Sequence, residues 1–416
     1  MLNNEQNELL TRVEGSAPMG RMLRENYWVP AIKSGAVVAG GAPVRVRLLG
    51  SNYVLFRTTD GRLGCVDERC PHRGVSLALA RNEGDALRCI FHGWAFTTEG
   101  NPVEVPTQVT APERFAKSVK TNRYHARDAG GMIWLWLGAP AGVSEPSFPD
   151  FEFLQLPLDQ ISIRMARIPA NWFQGVEANQ DSSHVGILHK NFVKGLGNLE
   201  LMAKNPRPVY DVKRTRYGHQ AATLRDLDDG RIYLRLTEYV MPWYSFVTPI
   251  DMDHSERILI IAVPVDDTHM NLIYVRYDTE RAVSGDHYHQ VLETQDLSSI
   301  FAGEATNWGQ DRAAMLNDDN FSGFHNLVLE DVAVQLSMGA IADRAAEQLC
   351  SGDRAIVMAR QIMVGAVTDY LAGKVPDSGH LEPGVLAGVR TRASFLPPGA
   401  DWQTWQPPKV AEAAAG

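Results

Sequence analysis

Two short stretches constrain this chain more than anything else in it: CPHRG at 70–74 and CIFHGW at 89–94. Written as donors they are Cys70-x-His72 and Cys89-x2-His92, with residues 73–88 between them. Each stretch offers one thiolate and one imidazole, so the chain must fold back and bring two loop tips around a common centre. Such a set suits either Zn2+ or a [2Fe–2S] centre. The offset spacing is uncommon in zinc ribbons and fingers. It matches a centre with two cysteines on one iron and two histidines on the other. Gly74 and Gly93 suit backbone that must approach inorganic sulfide closely. A structural zinc site is the alternative. Cys65 and Cys350 stand outside the pattern and read as plain thiols. Four cysteines in 416 residues make no disulfide framework, and a reducing, cytoplasmic location is the expectation.

The loops sit in a run of short apolar or alternating segments: VRVRLLG (44–50), YVLFRTT (53–59), ALRCIFH (86–92), GWAFTTEG (93–100) and MIWLWLG (132–138). Turn residues punctuate them, with Asp60-Gly61 a hairpin signal. This reads as a small antiparallel β domain. Residues 1–27 read as helical, and 104–150 as closing strands followed by a Pro-rich linker. After it, strand-like runs at 164–169, 207–218, 220–227, 231–243, 256–265 and 269–278 imply a second antiparallel sheet. Residues 279–325 read as loop or lid, with no metal role for His287 or His289. A helical pattern resumes from Leu327, and the last residues read as a loose tail.

A second cluster lies in NWFQGVEANQDSSHVGILH, residues 171–189. Glu177, Asp181 and His184 follow an i, i+4, i+7 spacing and would share one helical face, with His189 where that helix ends or distorts. Two imidazoles converging with a carboxylate make a site suited to non-haem Fe(II). The competing reading is a polar helix face with satisfied hydrogen bonds. From the residues alone the carboxylate is either Asp181 or one arriving from the C-terminal helix.

Composition excludes several classes. Net charge is -9, with a sequence pI near 5.8, which gives no support to nucleic-acid or anionic-membrane binding. The longest apolar runs, such as Ile258–Val265, are too short to span a bilayer. The N-terminus has no apolar signal region.

Taken together, CPHRG, CIFHGW and the 171–189 stretch resemble the oxygenase (alpha) subunit of the Rieske non-haem iron aromatic-ring hydroxylating oxygenases. The opening NEQNELLTRVEGSAPMGRMLRENYWVPA, PVRVRLLG and CPHRGVSLALARNE are most similar to the phthalate dioxygenase branch. The resemblance implies an α+β fold: an N-terminal all-β Rieske domain plus a catalytic domain with an antiparallel sheet flanked by helices. The expected segments are helices at 1–27 packing with the catalytic domain, the Rieske domain at 28–150, the catalytic domain at 151–396 and a tail at 397–416. Cys70, His72, Cys89 and His92 would hold the [2Fe–2S] cluster. His184, His189 and Asp331 would hold mononuclear Fe(II), with Glu330 the rival third ligand. Asp181 would link His184 to His92 of a neighbouring copy, which requires an oligomer, a homotrimer or a hexamer of stacked trimers. Asn171 would hydrogen-bond near the iron, Gln174 matches the motif, and Glu177 reads as a support or interface group.

The implied activity is a ring-hydroxylating dioxygenase using O2 to cis-dihydroxylate an aromatic carboxylate. The chain shows no dinucleotide-binding fingerprint, so an NAD(P)H-dependent reductase with flavin and [2Fe–2S] would supply electrons. A Rieske monooxygenase removing an O- or N-methyl group is the alternative, and a Rieske electron carrier the less favoured one. For substrate contact the candidates are Arg207, one of four strand arginines with Arg214, Arg231 and Arg235, and Trp243 in MPWYSF (241–246).

Overall fold

The computed structural model describes residues 1–119, 121–248, 255–285, 289–293, 297–317 and 319–405. Two helices open the chain. α1 (Asn4–Thr11) starts from a capping box between Asn3 and Gln6, and α2 (Pro18–Asn26) starts on proline, where a missing N–H costs nothing. Then come β1 (Val29–Lys33), β2 (Val44–Leu48), β3 (Ser51–Arg57), β4 (Leu63–Asp67), β5 (Arg81–Asn82), β6 (Ala86–Arg88), β7 (Ala95–Thr97), β8 (Pro102–Glu104), helix α3 (Pro112–Ser118), β9 (His125–Ala129) and β10 (Met132–Trp136). They form three small antiparallel sheets, ordered β1-β10-β9, β2-β3-β4 and β5-β6-β7-β8. Gly61, at φ +91°, turns β3 into β4 where Asp60-Gly61 signals a hairpin.

The Cys70/His72 loop joins β4 to β5, and the Cys89/His92 loop joins β6 to β7. Both loops pack on a small core of their own, including Val54, Phe56, Leu77, Leu87, Trp94 and Phe96. The other face of this region is different. Trp28, Leu48, Trp134 and Trp136 are buried in the same core as the second half of the chain. Each such fully buried side chain contributes roughly 1.5–3 kcal/mol of transfer free energy, so the two halves are held by a continuous apolar seam.

The second half contains β11 (Ile161–Ile168), α4 (Trp172–Gln180), α5 (Lys190–Val193), α6 (Glu200–Lys204), β12 (Val209–Arg214), β13 (Gly218–Asp226), β14 (Ile232–Val240), β15 (Tyr244–Val247), β16 (Glu256–Pro264), β17 (Met270–Asp278), α7 (Leu297–Phe301), α8 (Arg312–Leu316), α9 (Leu327–Ser337), α10 (Arg354–Leu371) and β18 (Arg392–Leu396). The strands make one antiparallel sheet ordered β11-β17-β16-β15-β14-β13-β12. β15 covers only Glu238–Val240 of β14, and β18 pairs with Ile232–Leu236 of the same strand. α4 lies on β15, β16 and β17 and touches α9 and α10. Gly175 allows that approach, because a Cβ there would sit 2.6 Å from Met270 Sδ. α1 packs on α2, α4 and α10, so the N-terminal helices dock on the second half of the chain.

Three expectations need revision. The continuous helix through Glu177, Asp181 and His184 does not form: α4 stops at Gln180, Asp181 is its extended C-cap, and His184 opens a separate 3-10 turn, His184–Gly186. Residues 397–405 are not loose, since Trp402 is buried and its indole donates to Asp211 at 2.8 Å. β18 was not anticipated, because its five residues follow a Pro- and Gly-rich stretch with no alternation strong enough to mark a strand. His287 and 406–416 lie outside the described residues. Among the described residues no helix is long and apolar enough to cross a membrane.

Candidate active site and metal centres

The two cysteine–histidine loops are built on one plan. In the first, Cys70 N–H donates to Val75 O at 2.9 Å and Gly74 N–H to Cys70 O at 2.8 Å. In the second, Cys89 N–H donates to Trp94 O at 2.8 Å and Gly93 N–H to Cys89 O at 3.0 Å. Both glycines need positive φ, +74° and +73°. The residue before each cysteine is an arginine that donates to the glycine carbonyl, Arg69 to Gly74 at 3.1 Å and Arg88 to Gly93 at 2.7 Å. The matching Arg-Cys…Gly spacing at 69–74 and 88–93 is a signal that the reading of donors alone passed over.

These loops bring the four predicted donors together. The His72 and His92 rings lie 4.4 Å apart, and Trp94 stacks on His72 at 4.5 Å. Cys70 and Cys89 are buried, and His72 Nδ1 is buried with no hydrogen-bond partner. An orphaned imidazole nitrogen beside two facing thiols fits a metal centre. Burial, with the Cys89 sulfur next to it, pushes the Cys70 thiol up to about 11, so the thiolate form depends on the positive charge of metal beside it.

The second cluster is assembled from three elements. His184 sits on the 3-10 turn after α4, His189 caps α5, and Asp331 comes from α9. One ligand atom from each lies within 4.8 Å of the others. Asp331 Oδ1 is 3.5 Å from His184 Nε2 and 3.1 Å from His189 Nε2. The opposite nitrogens also face carboxylates. His184 Nδ1 is 3.4 Å from Asp181 Oδ2, and His189 Nδ1 is 2.5 Å from Glu330 Oε2. Ser322 donates to the other Glu330 oxygen. With His189 Nδ1 bonded to Glu330 and His184 Nδ1 turned towards Asp181, both Nε2 atoms face the same carboxylate, an arrangement that suits a cation between them.

The electrostatics agree with that geometry. Burial would push the His184 imidazole towards neutrality, but Asp181 and Asp331 outweigh it and hold it protonated up to about 10. Burial would raise Asp331, but His189 and His184 hold it well below the usual carboxylate range. Glu330 is raised, by burial first, although His189 and Ser322 pull it down. One carboxylate and two imidazoles converge on a point that favours positive charge, which a divalent ion supplies.

This cluster forms part of the wall of a cavity of about 160 Å³. Most of the remaining wall is apolar: Val185, Val193, Leu196, Leu199, Met202, Ile258, Ile260 and Leu327. Arg235 is its cationic member. The side chain is 7% exposed and donates to Thr248 O at 2.9 Å and to Tyr233 Oη at 3.3 Å. Strand alternation places Tyr233, Arg235 and Thr237 on one face of β14, against the helices. A larger cavity of about 260 Å³, between Tyr27, Phe148 and Ser378, has no imidazole in its wall.

Several expected site residues lie elsewhere. Asn171 sits at the far end of α4 from Asp181. It caps the helix through Phe173 N–H and ties down Thr11 O and Asp267 O at 3.0 and 2.7 Å. Its role is therefore architectural, and nine residues of helix separate it from the imidazoles. Arg207 is exposed between Pro206 and Pro208 and outside the cavity wall, because that segment precedes β12 at the surface. Trp243 is fully buried against Tyr27 and Tyr244 in the core rather than in the cavity. Arg214 and Arg231 are exposed. Glu177 is buried between Arg344 and Arg360, 2.8 and 2.6 Å away, and Gln174 binds Gln335 O and Gly339 O.

Comparison with known proteins accounts for both clusters. Residues 27–121 match the Rieske [2Fe-2S] domain family, and residues 135–415 match the family described as LigXa C-terminal domain like. The oxygenase subunit of phthalate 4,5-dioxygenase from Pseudomonas putida is 33% identical over 428 residues, 98% of this chain and 95% of that one. The oxygenase subunit of 3-chlorobenzoate-3,4-dioxygenase from Comamonas testosteroni is 33% identical over 435 residues, 97% and 98% of the two chains. Among solved structures, a Pseudomonas putida CBB5 NdmA variant with theobromine shares the fold at a TM-score of 0.60 and 19% identity, over 88% of this chain and 97% of that one.

Proposed function

Because the chain belongs to the oxygenase (alpha) subunits of the Rieske non-haem iron oxygenases, we propose that it cis-dihydroxylates a single-ring aromatic carboxylate. The observation that carries the substrate class is Arg235, a buried guanidinium in the wall of the cavity that also contains His184, His189 and Asp331. A planar guanidinium in an apolar cavity suits a carboxylate. The volume points to one ring, since an apolar cavity of roughly 150 Å³ accommodates benzene. The two dioxygenase relatives are named for phthalate and 3-chlorobenzoate, both aromatic carboxylates.

The reaction consumes one O2, two electrons and two protons, and adds both oxygen atoms to adjacent ring carbons. When bound, the mononuclear iron supplies oxygen activation and the [2Fe–2S] cluster supplies single electrons. The chain itself supplies position. Cys70, His72, Cys89 and His92 hold the cluster. His184, His189 and Asp331 hold the iron on one side of the cavity, Arg235 holds the carboxylate, and the apolar walls keep water from the ring. Asp181 accepts from His184 and from His92 of a neighbouring copy, so the working unit is an oligomer, a homotrimer or stacked trimers. A separate NAD(P)H-dependent reductase with flavin and [2Fe–2S] delivers the electrons.

The test is a single turnover of the reduced, iron-loaded protein under 18O2 with phthalates, halobenzoates, phenoxybenzoates and methoxybenzoates. A product carrying two 18O atoms is expected. One 18O atom with formaldehyde released would replace dihydroxylation with demethylating monooxygenation. Absence of product from every acid would overturn the aromatic-carboxylate reading.

A further inference from the structure

The helix break that delivers His184 is held from the sheet edge by one phenol. Tyr210, on β12, is 2% exposed, and its ring packs with Ala221 and Ala355. Its hydroxyl receives Ser182 N–H at 2.9 Å and lies 3.1 Å from Ser183 Oγ and 3.3 Å from Asp181 Oδ1. A carboxylate only accepts, so the phenol proton goes to Asp181 and the Ser183 hydroxyl donates to the phenol oxygen. That oxygen then has two donors and one acceptor, its full complement. Asp181 Oδ1 is in turn engaged twice, by Tyr210 and by Ser183 N–H at 2.7 Å. The carboxylate is thereby turned so that Oδ2 faces His184 Nδ1. Arg225, also buried, closes the same turn by donating to Ser182 O at 3.2 Å and to Asn205 O at 3.0 Å.

We propose that Tyr210 is a positioning residue for the mononuclear metal centre, acting through Asp181 to fix the ring orientation and Nδ1–H tautomer of His184. The inference rests on the reading that His184, His189 and Asp331 hold the metal. Its physical basis is that the phenol sits on a packed strand while Asp181 sits on a helix break with no regular structure of its own. Without the hydroxyl, Ser183 N–H alone holds Oδ1, and Oδ2 is less firmly directed at the ring. Ligand orientation by such outer partners matters: removing one typically weakens metal binding about 10- to 100-fold.

The experiment is a Co2+ titration of protein stripped of mononuclear metal but retaining its Rieske cluster. Tyr210→Phe keeps the ring and deletes one hydroxyl. It should weaken Co2+ binding by about 10-fold, the low end of that range because it acts one bond further out, with Rieske absorption unchanged and a modest fall in thermal midpoint from the stranded Ser182 N–H. In an Asp181→Ala background the same substitution should have no further effect. Unchanged affinity in the single variant, or an equal loss with and without Asp181, overturns the proposal. Asp331→Ala, titrated in parallel, separates the two levels. Loss of Co2+ binding there with normal binding in Tyr210→Phe removes only the role of Tyr210, whereas retained binding removes the ligand reading itself. Should Tyr210→Phe misfold, Tyr210→Met fills the same space beside Ala221 and Ala355 without a hydroxyl, and unchanged affinity in that variant overturns the proposal.

Discussion

Replacing Arg235 with methionine is the most direct test of why this cavity would accept a carboxylate. Methionine keeps much of the stem volume and removes the charge. The guanidinium is buried, so a bound carboxylate would lose its counter-ion in a poorly solvated space. Removing one partner of a buried charge pair costs about 3–5 kcal/mol. At about 1.4 kcal/mol per decade that is a loss of roughly two to four decades in kcat/KM. Because the carboxylate is not the reacting group, most of the loss should appear in KM, with kcat for any acid that still binds much less affected. Arg235→Lys should recover part of the loss, since an ammonium restores charge without the planar fork. The methyl ester of the preferred acid should be turned over better by Arg235→Met than the acid itself, reversing the wild-type order. The substitution also strands Thr248 O, which accepts from Arg235 at 2.9 Å, so a modest fall in thermal midpoint is expected. Among the described residues Arg235 bonds to Tyr233 and Thr248 and not to His184, His189 or Asp331, so iron content should hold. The assay is steady-state oxygen uptake with an excess of reductase, run on acid and ester in parallel. A fall of less than about 10-fold for the acid in metal-replete protein would refute the reasoning, since even one charge-assisted hydrogen bond is worth ~1.5–3 kcal/mol.

Other substitutions probe the surrounding structure. Asp331→Ala should lose mononuclear iron while Rieske absorption stays, and Glu330→Gln should weaken iron binding by about 10-fold through the His189 tautomer; metal analysis that found iron retained in Asp331→Ala and lost in Glu330→Gln would exchange their roles. Glu177→Ala leaves two buried guanidinium groups without the carboxylate between them, and at about 3–5 kcal/mol the thermal midpoint should fall by roughly 6 °C or more; a midpoint within experimental error of wild type would show that Arg344 and Arg360 need no buried partner. Glu238 gives a pH dependence. Burial raises its carboxyl from 4.5 to about 7, against the pull of hydrogen bonds from Gln220 and Tyr217. The folded protein therefore keeps a proton that the unfolded chain releases, so this stability is complete below about 4.5 and is lost as pH rises through about 7. Glu238→Gln should flatten the fall in thermal midpoint between those limits, and an unchanged slope would assign it to other groups.

Some of this protein was legible from residue order alone, because local chemistry decided it. The Cys70 and Cys89 loops close on their own glycine turns, so donor type and spacing were enough to name the centre. The strands of the second sheet follow their apolar runs, and His184 and His189 follow their spacing. Other features depend on directions that no local pattern carries. Periodicity alone carries Asp181 and His184 along one helix, but Tyr210 and Arg225 reach in from distant strands and hold a break there. Asp331 and Glu330 are neighbours on α9, about 100° apart around its axis, so only the packing of that helix sends one to the Nε2 atoms and the other to His189 Nδ1. Sequence favoured Arg207 among four strand arginines, whereas Arg235 is the one in the cavity wall; which one enters depends on which face of β14 the helices cover. Sequence by itself determined the donor set and the strand runs of the second sheet, since both are properties of neighbouring residues. Tertiary structure decided which carboxylate, which arginine and which tyrosine meet at the site, because each of those choices is a rotation or a face fixed only by packing against residues more than a hundred positions away or on another strand.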